Sequence, residues 1–85
     1  MVKVDDIYRD LILDLFRHRC VRCNKPSESV HEIVPRSRLP KTWMLPENRL
    51  VLCVLCHFWA HRYGAKSSAM ELFALRRKRL LEYYG

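Results

Sequence analysis

Four cysteines stand in two pairs with the same spacing, Cys20/Cys23 and Cys53/Cys56. Two thiolates separated by two residues on a tight turn can bind one metal ion together, and two such pairs complete the tetrahedral set that zinc prefers. A finger that took two histidines in place of the second pair would need a gap of 33 residues, whereas about a dozen is usual. The spacing therefore predicts one structural zinc, held by all four cysteines and closed to substrate.

Three of the four histidines indicate a second site of a different kind. His57 and His61 are four residues apart on a predicted helix, so they share one face of it. His57 follows Cys56 directly, and the zinc is expected to bring this helix close to the strand that carries His31. Imidazoles that leave coordination positions open suit an ion that binds a phosphodiester oxygen and a water. His18, at the end of the first predicted helix, is expected to act only as a cation near the helix C-terminus.

The bulk composition is that of a small basic domain. The chain has 85 residues and a formal net charge of +7, and residues 17–41 hold seven Lys and Arg against two Glu. A domain of this size buries a limited core and usually needs a disulfide, a metal or a partner to be stable. Excess positive charge favours a phosphate backbone as partner, although a merely solvated surface explains the charge alone equally well.

The N-terminal segment MVKVDDIYRD is charged and lacks the apolar stretch of a secretory signal. No run of residues approaches the roughly 18 apolar residues that a membrane span needs. We therefore expect a cytoplasmic chain with no membrane partner. In a reducing compartment, paired Cys-x-x-Cys motifs favour zinc over disulfides.

The elements that must position these residues follow from periodicity and turn residues, and they predict one small α+β domain over 1–85. Helical spacing of apolar residues predicts a first helix over 4–18, within an N-terminal segment 1–19. A zinc-held core over 20–63 is expected to contain short β-type runs at 28–34 and 49–55, a loop at 36–48 and a helix near 56–63. Gly64 is expected to end that helix.

A basic C-terminal helix is predicted over 67–84. Ser68 and Glu71 have the spacing of a capping box at its start. Its apolar face is expected to contain Met70, Phe73, Ala74, Leu80, Leu81 and Tyr84. The exposed face is expected to contain Arg76, Arg77, Lys78 and Arg79, which could follow a DNA backbone without reading its sequence. The two tryptophans, Trp43 and Trp59, are expected to pack in the core or around the zinc site.

Four motifs give the chain a family resemblance: CVRC, VHEIVPRS, PENRLVLC and LCHFWAH, in that order over residues 20–61. The chain resembles the HNH endonucleases of the ββα-metal (His-Me finger) superfamily, in the small zinc-knuckle type found in phages and mobile elements. The resemblance implies that His31 is a metal ligand on the strand, that Asn48 holds the active-site loop and that His57 is the metal ligand on the helix. His61 matches an additional histidine that some members have.

Glu32 departs from the family pattern, because it occupies the position of the general-base histidine. Histidine suits that task since its pKa lies near neutral pH. Neighbouring residues on a regular strand also point to opposite faces, unless the strand ends or bulges there. Three assignments follow: Glu32 is the base, His31 is the base and Glu32 is a metal ligand, or the site is impaired.

The function that the resemblance implies is metal-dependent hydrolysis of DNA phosphodiester bonds, by nicking or cutting, with low intrinsic sequence specificity. The catalytic ion would be Mg²⁺, Mn²⁺, Ni²⁺ or Zn²⁺, and a larger protein partner could supply specificity. Arg36 and Arg38 directly follow the site, so they are expected to contact phosphate. The alternative is a catalytically impaired, zinc-stabilised DNA-binding or adaptor module, for which the Glu32 departure is the main support.

Overall fold

The structure, a computed structural model, describes residues 4–85, with side chains from residue 6 onward. Its elements are α1 (Val4–Leu15), β1 (Val30–Glu32), β2 (Arg49–Val51), α2 (Val54–Tyr63) and α3 (Ala65–Tyr84), with one 3-10 turn at Pro46–Asn48. The predicted small α+β architecture is confirmed. The expectation about a signal sequence falls in part on residues 1–3, outside the described residues. Within the described chain, no helix combines the length and apolarity that crossing a membrane requires.

The sheet is an antiparallel pair in which His31 lies opposite Leu50 and Glu32 lies opposite Arg49. All three residues of β2 are buried, because α1 packs against the strands. β1 is shorter than the predicted run. Its backbone leaves the ladder at Val34, whose N–H and C=O groups pair with the side chain of Asn48 instead of with β2.

α1 ends at Leu15, three residues earlier than predicted, in a Schellman-type cap. The N–H of Arg17 donates to the carbonyl of Asp14 (3.0 Å), and that of His18 donates to the carbonyl of Leu13 (2.8 Å). Arg17 has a φ of 58°, the left-handed conformation that glycine usually supplies at this position. Because the position holds an arginine, the sequence carried no glycine stop signal here.

The core joins α1 to β2 and to the cysteine turns. Its buried apolar side chains are Ile12, Leu13, Phe16, Cys20, Val21, Ile33, Leu50, Val51, Leu52, Cys56, Ala60 and Leu72. The apolar spacing that predicts α1 includes Ile7, Tyr8 and Leu11, but these side chains are exposed. The buried residues are instead Ile12 and Leu13 at the end of α1 and Phe16 directly after it.

α2 and α3 are separated by Gly64 alone, which ends α2 as predicted. Gly64 has a φ of 101°, a conformation that glycine adopts without steric cost. α3 begins at Ala65, before the predicted start, so the capping box is wrong. Ser68 lies in the first turn of α3, is buried, and donates its hydroxyl to the carbonyl of Ala65 (3.3 Å).

The face of α3 that packs on the rest of the molecule also differs from the predicted one. Leu72 is fully buried, whereas Met70, Phe73 and Leu81 are exposed. The inward face has helical spacing and mixes apolar residues with arginines: Ala69, Leu72, Arg76 and Arg79. Two basic residues therefore share the buried side of the helix, which a search for apolar periodicity could not find.

Candidate metal centre and histidine cleft

The first cysteine pair lies on a tight hairpin between α1 and β1. The N–H of Cys20 donates to the carbonyl of Lys25 (2.7 Å), and the N–H of Asn24 donates to the carbonyl of Cys20 (2.8 Å). Asn24 closes the turn with a φ of 66°. The N–H of Cys23 approaches the sulfur of Cys20 at 3.5 Å. A backbone donor at this position stabilises a thiolate, as hydrogen bonds to ionised acceptors do.

The second pair lies at the start of α2, where Cys53 is the N-cap and Cys56 lies in the first turn. Backbone hydrogen bonds bring the two pairs together, because the N–H of Val21 donates to the carbonyl of Val51 at 2.9 Å. The hydroxyl of Ser27 adds a bond to the carbonyl of Leu52 at 3.0 Å. The hairpin is thus attached along the strand that leads into α2.

The four sulfurs lie within 4.8 Å of one another. Tetrahedral zinc with Zn–S bonds of about 2.3 Å places its sulfurs about 3.8 Å apart, and the sulfurs of Cys23 and Cys53 are 3.5 Å apart. Within residues 4–85, this is the only group of three or more His, Cys, Asp or Glu side chains whose ligand atoms converge in this way. The four cysteines can therefore hold a structural metal such as zinc.

Arg22 lies beside this centre and was not singled out from the sequence. Its guanidinium is 3.7 Å from the sulfur of Cys56 and 4.0 Å from the centre of the Trp59 ring. Four thiolates around one divalent ion carry a net negative charge, which a neighbouring guanidinium offsets. Trp59 packs against the core beside this centre, as predicted.

The thiols of the centre differ in pKa because burial and hydrogen bonding act on them to different extents. Burial raises the pKa of Cys56 to about 12. Burial acts in the same direction on Cys53, but hydrogen bonds from the backbone of Cys56 and from the neighbouring thiols outweigh it and lower the pKa to about 7. Metal binding at such a centre is coupled to the release of the thiol protons.

The predicted second site is a cleft of about 590 Å³ that His31, His57 and His61 line together. The Nδ1 atoms of His31 and His57 are 3.2 Å apart, and the Nε2 atoms of His57 and His61 are 2.9 Å apart. Glu32 lines the same cleft. The strand ends at Glu32, so neighbouring residues need not face opposite ways. Tertiary structure thus brings together the histidines that the sequence places on β1 and α2.

The histidines form a chain, with His57 in the middle, and not a convergent triad. Two nitrogens that bind one ion at about 2.0–2.1 Å, at a right angle or slightly more, lie about 3.0–3.4 Å apart. The separation of 3.2 Å between the Nδ1 atoms of His31 and His57 fits this requirement. His57 presents its other nitrogen to His61. As arranged here, two of the three imidazoles can share one ion at a time.

Burial and the neighbouring imidazoles lower the pKa of two of these histidines, His31 and His57. Burial, followed by the positive charge that His57 and His61 would carry, lowers the pKa of His31 to about 4. Burial and the neighbouring His61 also lower the pKa of His57. A neutral imidazole donates through one nitrogen and accepts through the other. Three such rings can form a hydrogen-bonded chain that leaves one lone pair free at one end, and a metal ion shared by two rings would take the place of one of these hydrogen bonds.

His18 lies outside the cleft and has a structural role. Its Nδ1 lies 2.8 Å from the carboxylate of Glu28, and its Nε2 lies 2.9 Å from that of Asp14. Hydrogen bonds to Asp14 and then to Glu28 raise the pKa of His18. The side chain links the end of α1 to the segment before β1, and the raised pKa favours the charged form that the sequence predicts.

Asn48 is buried and makes three side-chain hydrogen bonds to the backbone of the preceding loop. Its Oδ1 accepts from the N–H of Val34 (2.7 Å), and its Nδ2 donates to the carbonyls of Val34 (2.9 Å) and Trp43 (3.0 Å). The backbone carbonyl of Asn48 also accepts from the N–H of Ile33 at 2.8 Å. Asn48 therefore fixes both ends of the 34–43 segment, which follows Ile33 and contains Pro35, and both of these residues line the cleft.

Arg36 contacts both Glu32, which lines the cleft, and Trp43. The Nε of Arg36 donates to Oε1 of Glu32 at 3.2 Å, and its guanidinium stacks over the Trp43 ring at 3.6 Å. Trp43 is half-buried and serves as a platform for the arginine, so the expectation that it belongs to the core or the zinc site is wrong. The carboxylate of Glu32 is already partly neutralised.

The basic run of α3 differs from its predicted arrangement. Arg76 donates to the carbonyls of Arg49 (3.2 Å) and Pro46 (2.9 Å), and Arg79 donates to the carbonyl of Val21 (2.9 Å). These two arginines attach α3 to the rest of the fold because their guanidinium groups satisfy backbone carbonyls. Of the four predicted DNA contacts in this run, Arg77 and Lys78 remain exposed.

None of the four lines the histidine cleft. Arg38, the other predicted phosphate contact, is exposed and lines a neighbouring groove that shares Ile33 and Pro35 with the cleft. Ser68 lines the cleft, and Arg49, the sheet partner of Glu32, is buried. Neither residue was predicted, and no pattern in the sequence separates them from other serines and arginines.

In comparisons with protein-family models, with curated proteins and with solved structures, nothing matches this chain. The resemblance to HNH endonucleases therefore rests on the motif residues themselves.

Proposed function

We propose that this chain is a metal-dependent endonuclease of the HNH type that hydrolyses phosphodiester bonds of DNA. In this proposal β1, β2 and α2 are the ββα-metal finger, and the four cysteines bind its structural zinc. The observation that carries the proposal is the cleft in which His31, His57 and His61 meet beside Glu32. A module that only binds DNA does not need imidazoles from two separate elements in one cleft.

The hydrogen bonds of Asn48 give further support. They tie the segment after β1 to the turn before β2, and this segment begins two residues after Glu32. In the proposal, Asn48 keeps His31 and Glu32 in place while the substrate binds. A catalytic group that is displaced by even 1 Å can lose a large part of its effect.

The lowered pKa values of His31 and His57 suit the proposed chemistry. Both imidazoles are neutral at pH 7, which is the state required to bind a metal or to accept a proton. A divalent ion, either Mg²⁺, Mn²⁺, Ni²⁺ or Zn²⁺, supplies polarisation of the scissile phosphate and stabilisation of the leaving oxygen when it is bound.

The general base is one of two neighbouring groups. Oε1 of Glu32 accepts from Arg36, so Oε2 would take the proton of the attacking water if Glu32 is the base. Nδ1 of His31 faces His57, so Nε2 would take that proton if His31 is the base and Glu32 a metal ligand. In both cases a general base next to the bound phosphate would contribute about 10²–10⁴-fold to the rate.

The proposed DNA contacts are sequence-independent. Arg36 and Arg38 follow the cleft residues directly, while Arg77 and Lys78 form an exposed basic surface on α3. Such side chains neutralise phosphates and carry no base readout. A larger protein partner would then supply whatever sequence specificity the reaction has.

The second candidate is a zinc-stabilised DNA-binding or adaptor module with an impaired catalytic site. The ion pair between Glu32 and Arg36 favours it, because Oε1 of Glu32 already accepts a hydrogen bond from the guanidinium and is not free to accept one from a water. The two candidates share the zinc centre and the basic surface, so they differ only in what the histidine cleft does.

The deciding experiment is a plasmid-nicking assay with zinc-loaded protein in Mg²⁺, Mn²⁺, Ni²⁺ and Zn²⁺, on single- and double-stranded DNA. We expect the wild type to cut and His57→Ala to lose activity by orders of magnitude while it keeps its zinc and its fold. The matched control is His18→Ala, which removes a histidine outside the cleft and should still cut. A wild type that cuts neither substrate with any of these metals would favour the binding module.

The same assay separates the roles of His31 and Glu32. If Glu32 is the base, Glu32→Gln should abolish cutting while isothermal titration with Mn²⁺ shows unchanged metal affinity. If Glu32 is a metal ligand, the same substitution should lower the Mn²⁺ affinity. Higher activity in Glu32→His than in the wild type would identify a site weakened by the departure from the family pattern.

A further inference from the structure

Arg49, the first residue of β2, carries a charge that its surroundings do not balance. The residue is 6% exposed, and its Nε and Nη1 atoms are enclosed with no hydrogen-bond partner among the described residues. A buried guanidinium without an anion is strongly unfavourable, because it has lost its hydration and gained no partner. A bound anion would satisfy it.

The surroundings of Arg49 include a second, accessible guanidinium. Glu32 is the sheet partner of Arg49 and the ion-pair partner of Arg36. Both arginines also approach the Trp43 ring, Arg36 at 3.6 Å and Arg49 at 5.9 Å from its centre. The side chain of Arg36 is 61% exposed. Arg36 therefore supplies an exposed cation next to the buried one.

The local charge balance is positive. Arg76 adds a third guanidinium, which donates to the backbone carbonyl of Arg49. Two carboxylates stand nearby: Glu32, which is paired with Arg36, and Glu47, which interacts with Arg76. Three cations against two anions leave one positive charge over, and Arg49 is the group without a partner. Guanidinium groups match the oxygens of phosphate better than other basic side chains do.

We propose that Arg49 and Arg36 bind one phosphate group beside Trp43. The phosphate lies next to the histidine cleft, because Glu32 lines that cleft and also holds Arg36. The phosphate belongs either to the backbone of a nucleic acid or to free inorganic phosphate. Only the first of these sources rests on the proposed function. Trp43 keeps the exposed arginine in position, and Arg49 provides the buried half of the site.

The first test is thermal melting of the zinc-loaded full chain in sodium phosphate and in sodium chloride of equal ionic strength. We expect phosphate to raise the wild-type Tm by about 5 °C. Arg49→Met should melt higher than the wild type in chloride, because an unbalanced buried charge is replaced by an apolar side chain. The variant should lose most of the gain from phosphate.

Arg62→Met is the matched control, since it removes an exposed arginine in the last turn of α2 and should respond to phosphate as the wild type does. Phosphate also stabilises folded proteins by general exclusion from their surfaces, so the readout is the difference between variants. An Arg49→Met protein with the full phosphate gain overturns the proposal. If Arg49→Met does not fold, Arg36→Gln takes its place, and a full gain in that variant overturns the proposal equally.

The second test identifies the carrier through binding of a short DNA duplex, followed by fluorescence anisotropy without added divalent metal. If the phosphate belongs to DNA, Arg49→Met should weaken binding about three- to tenfold and lower the slope of log K against log salt by about one. Unchanged DNA binding together with a lost phosphate gain assigns the site to free phosphate. Neither test measures cleavage, so the histidine cleft and the phosphate site can fail independently.

Discussion

The cysteine cluster and the histidine cluster meet at Cys56 and His57, yet they have opposite geometries. The four sulfurs converge on one point, all within 4.8 Å of one another. The three imidazoles are linked pairwise, at 3.2 and 2.9 Å, around His57. Convergence gives a closed centre that can only stabilise the fold. A chain of rings along a cleft leaves nitrogens and space for a substrate.

The difference arises from how each side chain leaves the backbone. Cys56 is buried and His57 is half-buried, because consecutive residues of a helix point in directions about 100° apart. One turn of α2 therefore serves both clusters. The cysteine centre fixes the start of this helix, and the histidine cleft depends on where the helix lies. Substitution of a cysteine should therefore disrupt both clusters, whereas substitution of a cleft residue should affect only the cleft.

The largest expected effect is the loss of the fold on removal of one thiolate. A structural zinc contributes on the order of 10 kcal/mol in small domains, while the net stability of a small domain is about 5 kcal/mol. Cys53→Ser should therefore be unfolded or insoluble, and a strong chelator should unfold the wild type. Elemental analysis should find one zinc per folded chain. Folded protein without bound metal, shown by circular dichroism, would contradict the claim that the cysteine centre stabilises the fold by binding zinc.

A smaller loss of stability is expected from Asn48→Ala, which affects the loop beside the histidine cleft and not the cysteine centre. The substitution leaves the N–H of Val34 and two carbonyls without their buried partner, at a cost of about 3 kcal/mol. Amide hydrogen exchange at Val34 should accelerate strongly, and zinc content should stay at one per chain. Slow exchange at Val34 in the variant would mean that the loop does not depend on this side chain.

The smallest effects should come from the basic run of α3, in which two inward arginines flank two exposed basic residues. Arg76→Gln should lower the free energy of unfolding by about 2 kcal/mol, since it removes charged donors from the carbonyls of Pro46 and Arg49. Arg77→Gln should stay within about 0.5 kcal/mol of the wild type, as exposed substitutions do. Chemical denaturation measures both.

In the proposed DNA binding, the exposed basic residues of α3 should matter more than the inward ones. Arg77→Gln and Lys78→Gln should each reduce the salt dependence of DNA binding, because these side chains are free to reach phosphates. The distinction between the two faces of the helix would be lost if Arg76→Gln and Arg77→Gln lowered stability equally. It would also be lost if Arg77→Gln and Lys78→Gln left the salt dependence of DNA binding unchanged.

Local signals in the sequence were sufficient for the order of the elements and for the cysteine centre. The small α+β fold, the end of α2 at Gly64 and the pairing of two Cys-x-x-Cys turns depend on residues close in sequence. The exact ends of the helices, and which face of each helix is buried, were harder to predict from the sequence. α1 ends on a left-handed arginine where glycine is usual, and the inward face of α3 contains arginines that satisfy carbonyls distant in sequence. Apolar periodicity contains no information about such contacts.

By itself, the sequence determined that four thiols meet, because two short turns with fixed spacing leave few other arrangements. It also identified Asn48 and three histidines as residues of interest. Only the tertiary structure decided that His57 stands between His31 and His61 and that Glu32 is paired with Arg36. It also decided that two buried nitrogens of Arg49 lack a hydrogen-bond partner among the described residues. These facts depend on strand register and helix orientation, which are set by packing across the whole core and not by the spacing of any motif.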